Sequence, residues 1–522
     1  MLCFLRRFAT PFFLCCLIPF SLLSKPSISP ISLGLLEAKT GEERYNILLN
    51  THRQALENGL TVDYRGLQRI DITIPENATS IPLGQINDFA NVVFNVTNHS
   101  KDTYLFTYVN NPDSIRVTGK DIDRGLFINQ LKLNKGRNIL VIEDKNPWVV
   151  NRKNHSYGHQ RKDILLIENG KAKNKTIMPY DNDQSTPICK YYTIIYPFIQ
   201  LSGLTLNRTA ESSSKTYLCK IIGADNVRLN NIIINTPSSV IVGDVAINIR
   251  DCTRVRFEDI TINGTYSQPN HSGYGITMNN VWCFRAKRLF GTGNWGIFGN
   301  NNINNTFIEN SKINRFDIHC YGRDVSFKNV EFVDLYNQFS SVFGTIRFDK
   351  CAFKHFVPVL YETSYNAYTP HDVVFNRCEF HLDAKRNYLF SAGRLGPEVN
   401  NREELKEKSW PNVNINKMVV HIEDETDHFY LFNCAVDPHF YDNVQTIESV
   451  VINDVSFKYS TPQFPITIEL SNKKINTEKT VYVKVNKVVA GPDSRITLPF
   501  NTETGKTKVF IRRSSISNVI ND

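Results

Sequence analysis

The sequence predicts an all-β solenoid closed at its N-terminal end by a short helix. Three observations carry that expectation. About one residue in nine of the 522 is Asn, beside 33 Phe and only 4 Met. Such a composition favours strands joined by tight turns. Nine segments repeat one pattern: LSGLTL (201–206), LNNIII (229–234), FEDITI (257–262), AKRLFG (286–291), IENSKI (308–313), FKNVEF (327–332), FDKCAF (348–353), FNRCEF (375–380) and INDVSF (452–457). Each reads apolar, two mostly polar residues, then apolar–x–apolar, with Asn or Asp often third. From Leu201 to Phe375 the copies lie roughly 20–30 residues apart, the range of a stacked repeat.

Each copy reads as strand, two-residue corner, strand. Asn at the corner tolerates a left-handed backbone, and the alternating apolar residues turn one face inward. One copy cannot bury that face alone, but a stack can.

In chain order, residues 1–24 have the form of a secretory signal peptide. Arg6 and Arg7 precede an apolar run from about Pro11 to Leu23, too short for a comfortable span. Within the N-terminal segment 25–59, YNILLNTHRQALENG (45–59) places Tyr45, Leu48, Leu49, Ala55 and Leu56 on one helical face ending at Gly59. That helix suits the exposed end of a solenoid. Residues 60–510 are assigned to the coil. Its first part, to about 185, reads as less regular coils with longer loops. The polar insertion at about 396–416 is a lateral loop, and 511–522 is a C-terminal tail.

Charge and cysteine narrow the function classes. There are 60 Lys+Arg against 51 Asp+Glu, a net +9 that is dispersed along the chain. That gives no footprint for nucleic acid and allows an acidic substrate. Three of the eleven Cys lie in the leader, and none of the others forms a CxxC pair. No zinc site is expected on that ground. Cys351 and Cys378 stand where Val330, Ile260 and Val455 stand in other copies, which makes them core thiols rather than disulfide partners.

With the repeats on the page, the chain resembles the right-handed parallel β-helix of the pectin-lyase-like superfamily over about 60–500. The resemblance implies a right-handed parallel β-helix solenoid with a short N-terminal capping helix, and carbohydrate as substrate class. It rests on the coil pattern and on no catalytic signature.

A candidate site follows from three short strands about 21 residues apart, GYGIT (273–277), NWGIF (294–298) and RFDIH (315–319). Tyr274, Trp295 and Phe316 fall in one apolar column, and Ile276, Ile297 and Ile318 in another. The alternate positions then face outward, as an Arg315–x–Asp317–x–His319 stripe beside Gly273, Gly275 and Gly296. Neighbouring coils bring Asp334 and His355 within reach. Asn294, Phe298, Tyr321, Tyr336, Asp244 and Asn248 line the same region as substrate-binding candidates. Asp317 and Asp334 would supply a glycosidase carboxylate pair. Alternatively, Arg315 stabilises an enolate while His319 or Tyr336 moves the proton, which is lyase chemistry. The same stripe can also be a plain cross-strand charge ladder. No metal ligand set is expected, because no HxH or HxxxE pattern surrounds His319. Cofactors are expected to be none, with calcium left open only as a bridge to an acidic substrate.

The expected function is a secreted, periplasmic or cell-surface enzyme, hydrolase or lyase, acting on a polysaccharide or other glycan as a monomer. The alternative is a non-catalytic glycan-binding or adhesive protein. A third is a tailspike-like or structural module, for which the sequence carries no trimerising segment.

Overall fold

The computed structural model describes residues 26–118, 133, 136–149, 159–176, 187–237, 245–264, 274–291, 296–299, 302–318, 322–333, 336–339, 342–354, 357–361, 372–383, 387–392, 411–422, 426, 428–434, 449–460, 465–471, 475–476, 480–497, 500–501, 507–516 and 518–520. The leader at 1–24 and most of the insertion, 396–410, lie outside them.

Helix α1 spans Gly41–Glu57. Thr40 caps it: its Oγ1 accepts from the Glu43 N–H at 3.1 Å, and the Glu43 carboxylate accepts from the Thr40 N–H at 3.0 Å. Tyr45, Leu48, Leu49 and Ala55 are buried as the period requires, joined by Thr51 and His52. This face packs on Arg69–Ile74 and closes the end of the coil.

The coil is a parallel β-helix whose strands stack into three faces, sheets I, II and III. Sheet I begins at 86–88 and 200–202 and ends at 507–512. Sheet II begins at 69–74 and 93–98 and follows the corner on each coil, as at 379–382 and 419–422. Sheet III runs from Ile81–Pro82 and 103–109 through Arg315–Ile318 to Asn518–Ile520. The coil therefore continues past residue 510, through the stretch read as a tail. The end of the predicted insertion, Asn412–Asn416, is likewise a strand of sheet I.

The corner reading holds at all nine copies. Gly203, Asn231, Asp259, Arg288, Asn310, Asn329, Lys350, Arg377 and Asp454 all have φ between 50° and 67°. Asn91, Lys417 and Lys487 share this geometry and extend the repeat to coils with weaker sequence patterns. Where the corner lacks Asn, cross-coil pairs support it. Arg288 reaches Asp259 at 2.5 Å, and Arg377 reaches Asp349 at 2.7 Å.

Inside, stacked aromatic columns account for much of the Phe. Phe327, Phe348 and Phe375 stack at 5.3 and 5.1 Å between centroids, and Phe332, Phe353 and Phe380 at 4.9 and 4.2 Å. Cys189, Cys219, Cys252, Cys351 and Cys378 are buried free thiols, and Cys283 is half-buried. Burial pushes the Cys189 and Cys252 thiols up to about 12, so both are inert at neutral pH.

One element departs from the sequence reading. Asp113–Arg116, Arg137–Val149, His159–Glu168, Lys171–Ala172 and Ile188–Thr193 form a separate antiparallel sheet beside the first coils. Period-two alternation looks the same in parallel coils and antiparallel hairpins, so the pattern alone could not tell them apart. The sheet docks on the coil through an apolar cluster, Ile139, Val141 and Ile164 with Ile222 and Trp282, and through polar contacts. Tyr192 Oη donates to Asp251 at 2.6 Å, and Asp225, fully buried, pairs with Arg137 at 3.2 Å and with Arg254. Among the described residues no helix is long and apolar enough to cross a membrane.

Candidate functional site

Arg315 and Asp317 of the predicted stripe are sealed rather than open. Arg315 and Asp317 do lie on the face opposite the buried Phe316 and Ile318, as alternation requires, but they are only 5% and 0% exposed. They form an ion pair at 2.6 Å. Tyr274 leaves the inward column assigned to it. It is half-buried, with its hydroxyl 3.3 Å from Arg315 and its ring 5.3 Å from the guanidinium carbon. The expectation of a solvent-facing Arg–Asp stripe is thus corrected: both side chains are buried, and Tyr274 lies against Arg315.

The register also differs by two residues. Gly296 pairs with Arg315, and Phe298 with Asp317. The coil between them is two residues shorter than the one in which Ile276 pairs with Ile297. Asn248, Thr277, Phe298, Asp317 and Gln338 consequently share one column. Asn248 is half-buried and donates to the Tyr104 hydroxyl at 3.1 Å. Phe298 and Tyr336 lie on strands of sheet III, Tyr336 opposite Val357. His319, Asp334, Asn294, Tyr321, His355 and Asp244 lie outside the described residues.

An open polar groove lies elsewhere, on the outer face of sheet I. It has a volume of about 430 Å³ and is lined by Arg347, Val374, Asn376, Asn414, Asn416, Val451, Asn453 and Lys484. Two columns build it. One runs Arg347, Val374, Asn414, Val451, Lys484, and the other Asp349, Asn376, Asn416, Asn453, Asn486. In the second, each amide donates to the residue one coil back: Asn376 to Asp349 at 2.6 Å, Asn416 to Asn376 at 2.9 Å, Asn453 to Asn416 at 2.7 Å and Asn486 to Asn453 at 2.6 Å. A link uses one N–H and one lone pair of each amide, so each retains capacity for a further donor and a further acceptor contact. Asn414 is exposed beside the ladder. Val374 and Val451 give the floor a half-buried apolar strip. Arg347 and Lys484 place a cation at either end, and the one carboxylate of the two columns is Asp349 at the head of the ladder.

Sequence reasoning placed the Asn excess at corners and missed this ladder. A second ladder, Asp71–Asn95–Asn207–Asn235–Asn263, runs up sheet II on the N-terminal coils. The signal was present: aligning the repeats on the corner sets Asn376, Asn416, Asn453 and Asn486 each one residue before it. At the head of the groove's ladder, partial burial pushes the Asp349 carboxyl up. Hydrogen bonds from Arg377 and Asn376 and the charges of Arg377 and Lys350 outweigh that and hold it below the usual carboxylate range.

Two further clusters carry chemistry. On sheet III, His428 Nδ1 lies 3.0 Å from Glu469, with the Tyr430 ring stacked on the imidazole at 5.7 Å. On sheet II, Glu379, His381 and His421 bring ligand-capable atoms within 4.8 Å of one another.

No family model matches the chain, and no curated protein matches it. Among solved structures it is similar to three phage tailspikes. The Pseudomonas phage phi297 tailspike gp61 shares 10% identity at a TM-score of 0.46, with 87% of this chain and 84% of that one covered. The Gp54 tailspike of Acinetobacter baumannii bacteriophage AP22, solved in complex with A. baumannii capsular saccharide, shares 12% at 0.48, covering 92% and 79%. The tailspike gp49 from Pseudomonas phage LKA1 shares 11% at 0.44, covering 90% and 82%.

Proposed function

We propose that the chain is a glycan-binding β-helix whose recognition surface is the sheet I groove, with a preference for acidic saccharides. The observation that supports this reading is the run of amides at coil spacing between two cations. Neighbouring coils are about 4.8 Å apart, close to the length one hexose adds to an extended chain. A saccharide lying along the coil axis would therefore meet an equivalent amide at each residue. Primary amides match vicinal hydroxyls as donor and acceptor together. Val374 and Val451 offer the C–H face of a ring an apolar surface. Arg347 and Lys484 suit carboxylate or other anionic substituents. Glycoside hydrolysis needs two carboxyl groups across the scissile bond; the two columns of the groove carry a single one, Asp349, already bonded by Asn376 and Arg377, which favours binding over cleavage.

A second reading keeps enzymatic action on the bound glycan. It is favoured by the His428–Glu469 pair with Tyr430, an acid–base dyad beside an aromatic platform on another face. A lyase or hydrolase role for Arg315, Asp317 and their neighbours would require that buried pair to open to solvent. The test is a panel of neutral and acidic polysaccharides, read for retention and for products. Retention of acidic members without new reducing or unsaturated ends supports the binding reading. New ends that vanish in Glu469→Gln select the second.

A further inference from the structure

The geometry points to a divalent transition-metal site of the zinc class on sheet II, formed by Glu379, His381 and His421. This site does not rest on the glycan reading. Glu379 and His381 lie two apart on Glu379–Leu382, so both face outward from one strand. His421 lies directly opposite His381 on the next coil. The rings stack at 4.6 Å and 9°, with both Nε2 atoms within 3.5 Å of the Glu379 carboxylate, so one ring must turn out of the stack for both in-plane lone pairs to meet on one ion. Glu379 Oε1 is 2.7 Å from His421 Nε2 and 3.5 Å from His381 Nε2. A tetrahedral zinc with ligands near 2.05 Å needs ligand atoms roughly 3.3 Å apart, and the two measured separations bracket that value. Both Nε2 atoms are closed off from water, while the Glu379 side chain remains 48% exposed. An ion could enter from the carboxylate side and keep an open fourth position.

Two imidazoles and one carboxylate suit zinc and its first-row neighbours rather than calcium or magnesium. The charged residues nearest on packed strands are Lys458, in register with His421, and Lys354, which follows Phe353 beside Phe380. Both are exposed and long enough to turn into solvent. Asp383 is the next outward carboxylate on the His381 strand. The ligands come from consecutive coils in register on sheet II, so a bound ion would tie those two coils together.

The test uses the full chain carrying no polyhistidine tag, titrated with Zn²⁺ by calorimetry and with Co²⁺ by visible absorption. The expected result is one ion per chain with Kd at or below about 10 μM, intense tetrahedral Co²⁺ bands, and no competition from Ca²⁺. His381→Gln and His421→Gln should each weaken binding about 100-fold or more and abolish the Co²⁺ bands, with far-UV circular dichroism unchanged. Glu379→Gln, which leaves both rings in place, serves as the second variant and should weaken binding and alter the Co²⁺ bands. Failure of the wild type to saturate at one equivalent, or unchanged binding in the doubly substituted His381→Gln/His421→Gln chain, overturns the site.

Discussion

The outer face of sheet III at Arg315 and Asp317 and the outer face of sheet I from Asn376 to Asn453 obey the same alternation. Both carry polar residues opposite a wall of Phe, Ile and Val. One is sealed, with Asp317 at 0% exposure, and the other is an open groove. The difference lies in what crosses each face. Tyr274 lies against the Arg315 guanidinium, whereas the amide ladder forms part of the lining of the groove. Alternation decides which side of a strand a residue occupies. Whether that side meets solvent depends on chain from elsewhere. Sealed polar groups should therefore govern stability, and open ones binding.

The largest expected effect is at the sealed pair. Asp317→Ala leaves Arg315 buried without its carboxylate and should cost about 3–5 kcal/mol in denaturant unfolding. A cost below about 1 kcal/mol, the range of surface pairs, would mean the stripe is open after all.

His52 at the cap is a second sealed group. Its Nδ1–H donates to the Pro82 carbonyl at 2.9 Å, and its Nε2 accepts from the Tyr64 hydroxyl at 2.8 Å. Burial pushes its pKa down to about 4, and the Pro82 hydrogen bond only partly opposes this. The unfolded chain takes up a proton near 6.5 and the folded chain only near 4, so stability is full above 6.5 and falls as pH drops toward 4. The loss should reach about 3 kcal/mol. His52→Gln should flatten that slope between pH 6.5 and 4, and an unchanged slope would remove His52 as its source.

The ladder should lie between the two classes. Asn416→Ala breaks the bonds to Asn376 and from Asn453, and should lower stability by about 1–3 kcal/mol while also weakening saccharide binding. If only stability changes, the ladder is purely structural. Asn414, exposed beside it, should give the smallest stability effect, within about 0.5 kcal/mol on Asn414→Ala, and a clear loss of affinity.

Much of the fold was legible in the sequence. The corner position needed a left-handed backbone, and Asn231, Asp259, Asn310, Asn329 and Asp454 marked it. The helical face of Tyr45, Leu48, Leu49 and Ala55 was plain from its period. The core thiols Cys351 and Cys378 followed from their column. Three features were not read. The antiparallel sheet around Arg137–Val149 shares period two with the coil. The two-residue shortening before Arg315 is invisible when a constant interval is assumed. Tyr274, which the strand pattern assigned to the core, instead lies against Arg315. The groove and the His381–His421 pair were hidden for one further reason: each is defined only across coils. His381 and His421 stand four residues past the corners Arg377 and Lys417, a coincidence that appears once the repeats are stacked.

The central claim is that the open groove, not the sealed stripe, takes the glycan. It is tested most directly by calorimetric titration of the Asn414→Ala/Lys484→Ala chain with an acidic oligosaccharide that the wild type retains. Affinity should fall about tenfold or more, roughly 1.4 kcal/mol, with an unfolding midpoint equal to wild type. Unchanged affinity in that variant would contradict the claim.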